Sequence, residues 1–169
     1  MQILAQENKI KAINPIAYFD SSHINLTYLH AYWQIDPKVN YINGEVTYYF
    51  KTSQITNKLY FSLAKNLSVN TILYHQNGVA YSHDYLNKLQ IFLPSIIAPN
   101  EIDSITIRYQ GAPSRSGFGA FTQSDHGYGP VIWTLSEPFG SMEWWPSKLS
   151  LDDKIDSIDI FIRTPKPYL

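Results

Sequence analysis

The sequence predicts an all-β domain, an antiparallel β-sandwich with at most one or two short helices. Three observations predict it. Apolar residues recur with period two along most of the chain. No stretch longer than about ten residues keeps a helical period, which is near the shortest ordinary helix. Residues that form turns break the pattern at short, regular intervals, as they do in sandwiches and barrels.

The elements follow in order. Residues 1–21 lack a clean period and read as an N-terminal tail, and the sandwich domain is placed at 22–169. Ile24, Leu26, Tyr28 and Tyr32 alternate with Asn25 and Thr27, giving a strand that runs to Gln34 and breaks at Asp36-Pro37-Lys38. Ile42, Val46, Tyr48 and Phe50 share the next strand's buried face, with Glu45, Thr47 and Lys51 on the other. Leu59, Phe61 and Leu63 form a third strand. Leu67, Val69 and Leu73 form a fourth, which turns back at Gln76-Asn77-Gly78 by positive φ. Leu89, Ile91 and Leu93 make a strand that Pro94 ends. Ile105, Ile107 and Tyr109 make another, followed by a Gly- and Ser-rich loop from Gly111 to Gly129. Val131 to Ser136 and Ile158 to Ile162 read as the last strands. Short helices are predicted near Ser141–Trp145 and Leu151–Lys154. The end, Pro165-Lys166-Pro167 and then Tyr168-Leu169, reads as the opening of a further element, so the expectation is a piece of a longer chain.

Composition excludes several functions. The net charge of −1 gives no field that favours nucleic acid or an anionic membrane. No apolar run approaches transmembrane length. With no cysteine there is no disulfide, thiol nucleophile or thiolate metal site. The start, Met1 to Gln6 with a small Ala5, reads either as the tail of a leader or as a plain tail. The rings are abundant, at 13 Tyr, 8 Phe and 4 Trp. Strand packing accounts for most of them, and the alternative use is a ring-lined face, as in a carbohydrate-binding module.

Few residue patterns suggest chemistry. His23, His30, His75, His83 and His126 show no metal-ligand spacing, and H-E-x-x-H is absent. Ser124-Asp125-His126 has the residue types of a catalytic triad, but adjacent residues on an extended chain point apart. Gly117-Phe118-Gly119 lacks the third glycine and the helix of a dinucleotide site.

The informative segment is 129–157. Glu137 sits where the chain leaves a strand, and Pro138 prevents further regular pairing. Trp144 and Trp145 follow, offering apolar rings beside a carboxylate. Such a carboxylate suits a cationic group, for example the protonated amine of a peptide. The plainer reading makes Glu137 a solvated loop acid and the Trp pair part of the core.

This segment resembles the end of the N-terminal domain of the zinc metallopeptidases of the aminopeptidase N family (membrane alanyl aminopeptidase, gluzincin). Its pattern runs Gln/Glu-Pro-x-x-Ala-Arg-x-x-Phe-Pro-Cys-x-Asp-x-Pro, with a later lysine. Glu137-Pro138, Trp145-Pro146 and Lys154 fall into register without a gap, and the double Trp before Pro146 is similar to the bacterial form. Asn43-Gly44-Glu45-Val46-Thr47 resembles the family's opening hairpin, and Gly117-Phe118 its glycine–aromatic loop. Met142 stands for the pattern's Arg, Ser147 for its Cys, and Lys148 to Leu151 for its aromatic-acidic stretch.

The resemblance implies a saddle-like, non-catalytic domain that forms one wall of an active-site cleft. Glu137 would help hold the substrate's free α-amine, with Pro138, Trp144 and Trp145 in support. The catalytic residues and the zinc would belong to a catalytic domain absent from these 169 residues, which would be this domain's partner in the same chain. Cut free, the domain is expected to expose an apolar patch near Trp144 and Trp145 and to self-associate. Family habit and the leader-like start favour an extracytoplasmic compartment over the cytoplasm.

Overall fold

The structure is a computed structural model, and it describes residues 21–114, 119–150 and 153–168. The tail expected over 1–21 and the Gly117-Phe118 pair lie almost wholly outside the described residues, as does half of the helix expected at Leu151–Lys154.

Among the described residues the chain forms eleven strands and one short 3-10 turn. The strands are β1 (Ile24–Asp36), β2 (Val39–Thr52), β3 (Thr56–Ser62), β4 (Leu67–Tyr74), β5 (Asn77–Gly78) and β6 (Ala80–His83). They continue as β7 (Lys88–Ile97), β8 (Ile102–Gly111), β9 (Thr122–Asp125), β10 (Pro130–Trp133) and β11 (Ser157–Arg163). The larger sheet runs β11-β1-β2-β8-β4-β5, the second β3-β7-β6, and β9 and β10 form a hairpin of their own. Pairing is antiparallel except between β1 and β11, which run parallel.

The core lies between the two larger sheets. The alternation on β2 and β8 is as expected: Ile42, Val46, Tyr48 and Phe50 are buried beside Ile105, Ile107 and Tyr109. Leu59 and Phe61 of β3 and Leu89, Ile91 and Leu93 of β7 complete it from the facing sheet. The rings of Tyr48 and Phe61 stack across the gap, 4.8 Å apart. Gly44 lies under Tyr109, and a Cβ there would come within 2.4 Å of that ring, so no side chain fits.

Several expectations are corrected, each for a local reason. β1 bulges between Leu26 and Tyr28, inserting Thr27 into the pairing with β2. The bulge flips the parity, so Leu29, Ala31 and Trp33 face the core while Tyr28 and Tyr32 turn outward. A second irregularity between Val69 and Thr71 turns Leu73 out and buries Ile72 and Tyr74. The β4–β5 turn takes its positive φ from His75 and Gln76; of the expected Gln76-Asn77-Gly78 only Gln76 supplies it, and Asn77–Gly78 form β5. β7 continues through Pro94, which lies in the register slip between the pairs Lys58–Phe92 and Thr56–Ile97, where no ladder N–H is required. The Gly- and Ser-rich loop contains β9. The helix expected near Ser141 is the 3-10 turn Gly140–Glu143, and residues 153–155 carry no helix.

Candidate functional site

The chain leaves β10 at Trp133 and enters a braced turn. Leu135 N–H donates to the Gly119 carbonyl at 3.1 Å. Gly119 has φ +90°, and a Cβ there would meet the Trp133 ring at 2.6 Å, so both the conformation and the space call for glycine. Gly140 N–H donates to the Ser136 carbonyl at 2.8 Å, and Trp144 Nε1–H donates to Ser136 Oγ at 3.0 Å. Residues 137–139 therefore form a loop pinned at its base. Glu137 and Pro138, joined by a cis peptide, are both exposed. The Glu137 carboxylate makes no hydrogen bond or ion pair with another described residue.

The next acid along the chain is placed differently. Glu143 accepts a hydrogen bond from Ser114 Oγ and is half-buried. Of the two carboxylates, Glu137 is thus the exposed one.

Trp144 and Trp145 face the molecule rather than the surroundings. Trp144 packs 4.7 Å from the Trp33 ring and 5.9 Å from Phe121, and Trp145 meets Trp33 edge-on at 5.7 Å. Both are half-buried against the core. They therefore do not form the exposed apolar patch expected of them; the exposed apolar side chains of this stretch are Val131, Trp133, 43% exposed, and Leu135, 47% exposed. Trp33, turned inward by the β1 bulge, meets both at an angle, 56° to Trp144 and 82° to Trp145.

Of the residues that depart from the aminopeptidase N pattern, Ser147 and Lys148 make side-chain contacts here, whereas Met142 contributes only its backbone carbonyl. Ser147 is buried and forms an isolated bridge with Ser62, each N–H donating to the other's carbonyl at 2.8 and 2.9 Å. Its hydroxyl lies 2.9 Å from Ser141 Oγ. Met142 offers its carbonyl to Ala64 N–H at 2.8 Å. Tyr48, whose hydroxyl pKa burial pushes far up, donates to the Pro146 carbonyl. Lys148 donates to the Ile24 carbonyl and pairs with Asp153. The segment is thereby tied to β1, β2 and the end of β3.

Sequence reasoning missed Trp33, Phe121, Ser136, Ser141 and Tyr109, whose hydroxyl accepts from Trp33 Nε1–H at 2.9 Å. Signals existed for two of them: Trp33, counted from Leu29, falls in phase with Ala31, and Tyr109 is in phase with Ile105 and Ile107.

Other polar groupings stand apart. Ser124 Oγ lies 2.9 Å from His126 Nε2, but the Asp125 carboxylate accepts from Gly127 N–H instead of orienting the imidazole. At the β4 end, Asp103 accepts from Tyr74 and lies 2.8 Å from His75 Nε2. Burial first, then that carboxylate, raises the Tyr74 pKa to about 12. Among the described residues no three His, Cys, Asp or Glu side chains stand together in a way that could hold a metal. No helix among them is long and apolar enough to cross a membrane. A concavity of about 660 Å³ lies between the β1–β2 turn and the end of β11, lined by Asp36, Tyr41, Asn43 and Arg163 among others, and it excludes Glu137. The most exposed rings, Tyr85 and Tyr128, lie in turns of different sheets.

No protein-family model matches the sequence, and no curated protein does. Solved structures do. A two-domain M1 zinc metallopeptidase bound to L-arginine matches with a TM-score of 0.74 at 18% identity, over 85% of this chain and 33% of that one. The fold is shared with the M1 zinc metallopeptidases. The M1 zinc metallopeptidase from Deinococcus radiodurans matches with a TM-score of 0.73 at 17% identity, over 85% and 33% of the two chains. Yeast LTA4 hydrolase matches with a TM-score of 0.73 at 14% identity, over 99% of this chain and 28% of that one. The chain thus spans about a third of the length of the metallopeptidases it matches.

Proposed function

We propose that this chain is the non-catalytic N-terminal domain of a zinc-dependent aminopeptidase. It forms one wall of the active-site cleft, and Glu137 binds the free α-amine of the peptide substrate. The observation that carries this reading is an exposed, unpaired carboxylate on a pinned turn, in a domain with the M1 metallopeptidase fold.

The chemistry supports that role. A carboxylate held on a rigid support meets an ammonium without having to be ordered first, so little conformational entropy is lost on contact. A blocked amine would leave the carboxylate unpaired, which selects for peptides with a free N-terminus. Two of the structural neighbours are bound to L-arginine and to a Tyr-Ser-Ala substrate, both of which carry an α-amine. Val131, Trp133 and Leu135 precede Glu137 at alternate positions and are exposed, which suits docking against a catalytic domain.

The described residues offer no cluster that fits zinc. The reading therefore assigns the metal and the general base to a catalytic domain outside these 169 residues, and gives this chain only amine binding and the shaping of the cleft.

The test uses the full-length enzyme. Glu137→Ala should lower kcat/KM for free-amine peptides by roughly ten- to a hundredfold, the equivalent of about 1.5–3 kcal/mol for a charged hydrogen bond. Glu137→Gln should lose less, because it keeps an acceptor. Unchanged kcat/KM in both variants removes Glu137 from the site.

A further inference from the structure

We propose that Ser136 is a positioning residue that sets substrate specificity: its tie to Trp144 fixes the Glu137 carboxylate in one place and so confines the site to amines carried on the α-carbon. This rests on the aminopeptidase reading above and adds to it a selectivity that a carboxylate alone does not confer.

Ser136 immediately precedes Glu137 and is held twice. Its carbonyl accepts from Gly140 N–H at 2.8 Å, which closes the turn. Its hydroxyl accepts from Trp144 Nε1–H at 3.0 Å. Only the second bond runs through the Ser136 side chain, so the residue type at this position decides whether it exists. An apolar residue here would leave the turn closed by its backbone but untied from the indole.

Trp144 carries the tie into the sandwich. Its ring packs 4.7 Å from Trp33 and 5.9 Å from Phe121. Trp33 Nε1–H donates in turn to the Tyr109 hydroxyl at 2.9 Å, and Tyr109 is fully buried on β8. Ser136, Trp144, Trp33 and Tyr109 thus join the residue beside Glu137 to the core through side chains. One residue earlier, Leu135 N–H donates to the Gly119 carbonyl at 3.1 Å. The chain leading into Glu137 is therefore anchored, while Glu137 itself is exposed.

A fixed carboxylate measures distance. In an α-aminoacyl substrate one carbon separates the ammonium from the scissile carbonyl. A β-aminoacyl substrate has a second, which moves the ammonium by about 1.5 Å, the length of a C–C bond. Both substrates carry the same charge, so charge does not tell them apart, but position does. A carboxylate that cannot follow the displaced ammonium loses its charge-assisted hydrogen bond, and misplacement on this scale is costly. A carboxylate on a loosened turn can follow it, and the two substrates then become harder to distinguish.

The test measures the full-length enzyme on a matched pair of probes, alanyl and β-alanyl p-nitroanilide. Wild type should favour the alanyl probe. Ser136→Ala should raise the alanyl KM by roughly three- to tenfold, the equivalent of one neutral hydrogen bond, with kcat little changed. It should also narrow the alanyl to β-alanyl ratio of kcat/KM. Trp144→Phe, which keeps a ring and loses the donor, should do the same. Ser136→Thr keeps the acceptor and should hold the wild-type ratio. In a Glu137→Ala background, Ser136→Ala should change neither KM nor the ratio. A wild type that cleaves both probes alike overturns the inference, as do wild-type KM and ratio in both Ser136→Ala and Trp144→Phe. A lower kcat at unchanged KM and ratio, the sign of a smaller folded fraction, makes Ser136 merely structural and also overturns it. So does an effect of Ser136→Ala that persists without Glu137. Should Trp144→Phe not fold, Ser136→Ala against Ser136→Thr still decides. Wild-type kinetics in Glu137→Ala sink the aminopeptidase reading and this inference together. An impaired Glu137→Ala beside an unimpaired Ser136→Ala sinks this inference alone.

Discussion

The sandwich core and the segment that leaves β10 are held together by different forces. Between the sheets, buried side chains alternate along paired strands, and area removed from water does the stabilising. From 134 to 150 there is almost no ladder. That segment is held by single hydrogen bonds and ring contacts: Ser136 to Gly140 and Trp144, Ser62 to Ser147, Tyr48 to Pro146, and Trp33 to both tryptophans. The difference shows how a rigid sheet can present a polar group. The core fixes the base of the turn, and the turn leaves its acid unsatisfied.

Substitutions should separate the two regions by size of effect. Phe50→Ala in the core should cost about 3–5 kcal/mol, read as the urea midpoint shift multiplied by the slope. Loss well below 2 kcal/mol would mean that the sheets are not closely packed there. Trp33 joins the regions, since it hydrogen-bonds Tyr109 and packs on Trp144 and Trp145. Trp33→Phe and Tyr109→Phe should be coupled by about 1 kcal/mol in a double-mutant cycle. Ser147→Ala keeps the backbone bridge to Ser62 and loses only the hydroxyl contact, so about 1 kcal/mol is expected. Glu137→Ala should change stability by less than about 0.5 kcal/mol. A larger loss would make Glu137 a structural residue rather than a presented one.

The smallest effect is a pH dependence. His83 lies in the second sheet, with Nε2–H donating to the Leu63 carbonyl at 2.8 Å. Desolvation, and to a lesser degree the nearby Lys65, hold its pKa below 6.5, while Leu63 and Asp84 act in the opposite direction. Above pH 6.5 the imidazole is neutral whether folded or unfolded, and its stabilising effect is complete. As pH falls below 6.5 the unfolded chain binds the proton first, so stability declines until the folded-state pKa is passed. His83→Asn should flatten that part of the stability–pH curve. An identical slope would place the dependence elsewhere.

The core was legible because burial on one face leaves a period of two, and β2 and β8 kept it from end to end. It was misread wherever one extra residue shifted the phase, as at Thr27, because a bulge leaves no mark in composition. β10 ends at Trp133 rather than at Ser136 as the sequence suggested, so Glu137 stands four residues beyond the strand, on a loop that Pro138 did mark. The plainer reading of Trp144 and Trp145 as part of the core holds, but their partner Trp33 could not be read, because contacts between residues about 110 positions apart do not show in local sequence. β9 was hidden by its polar residues, which suit a loop as well as a two-stranded ribbon.

The bulge at Thr27 also bears on which changes of chain length β1 can absorb. Removing one residue from within a paired strand ordinarily rotates everything beyond it to the wrong side. Here Leu26 pairs with Phe50 and Tyr28 with Tyr49, so Thr27 has no counterpart. Deleting it leaves an unbroken ladder in which Leu26 and Leu29 still point inward. The same holds at Asn70, between the pairs Val69–Tyr109 and Thr71–Arg108. These two positions are where the large sheet can be shortened without being turned inside out.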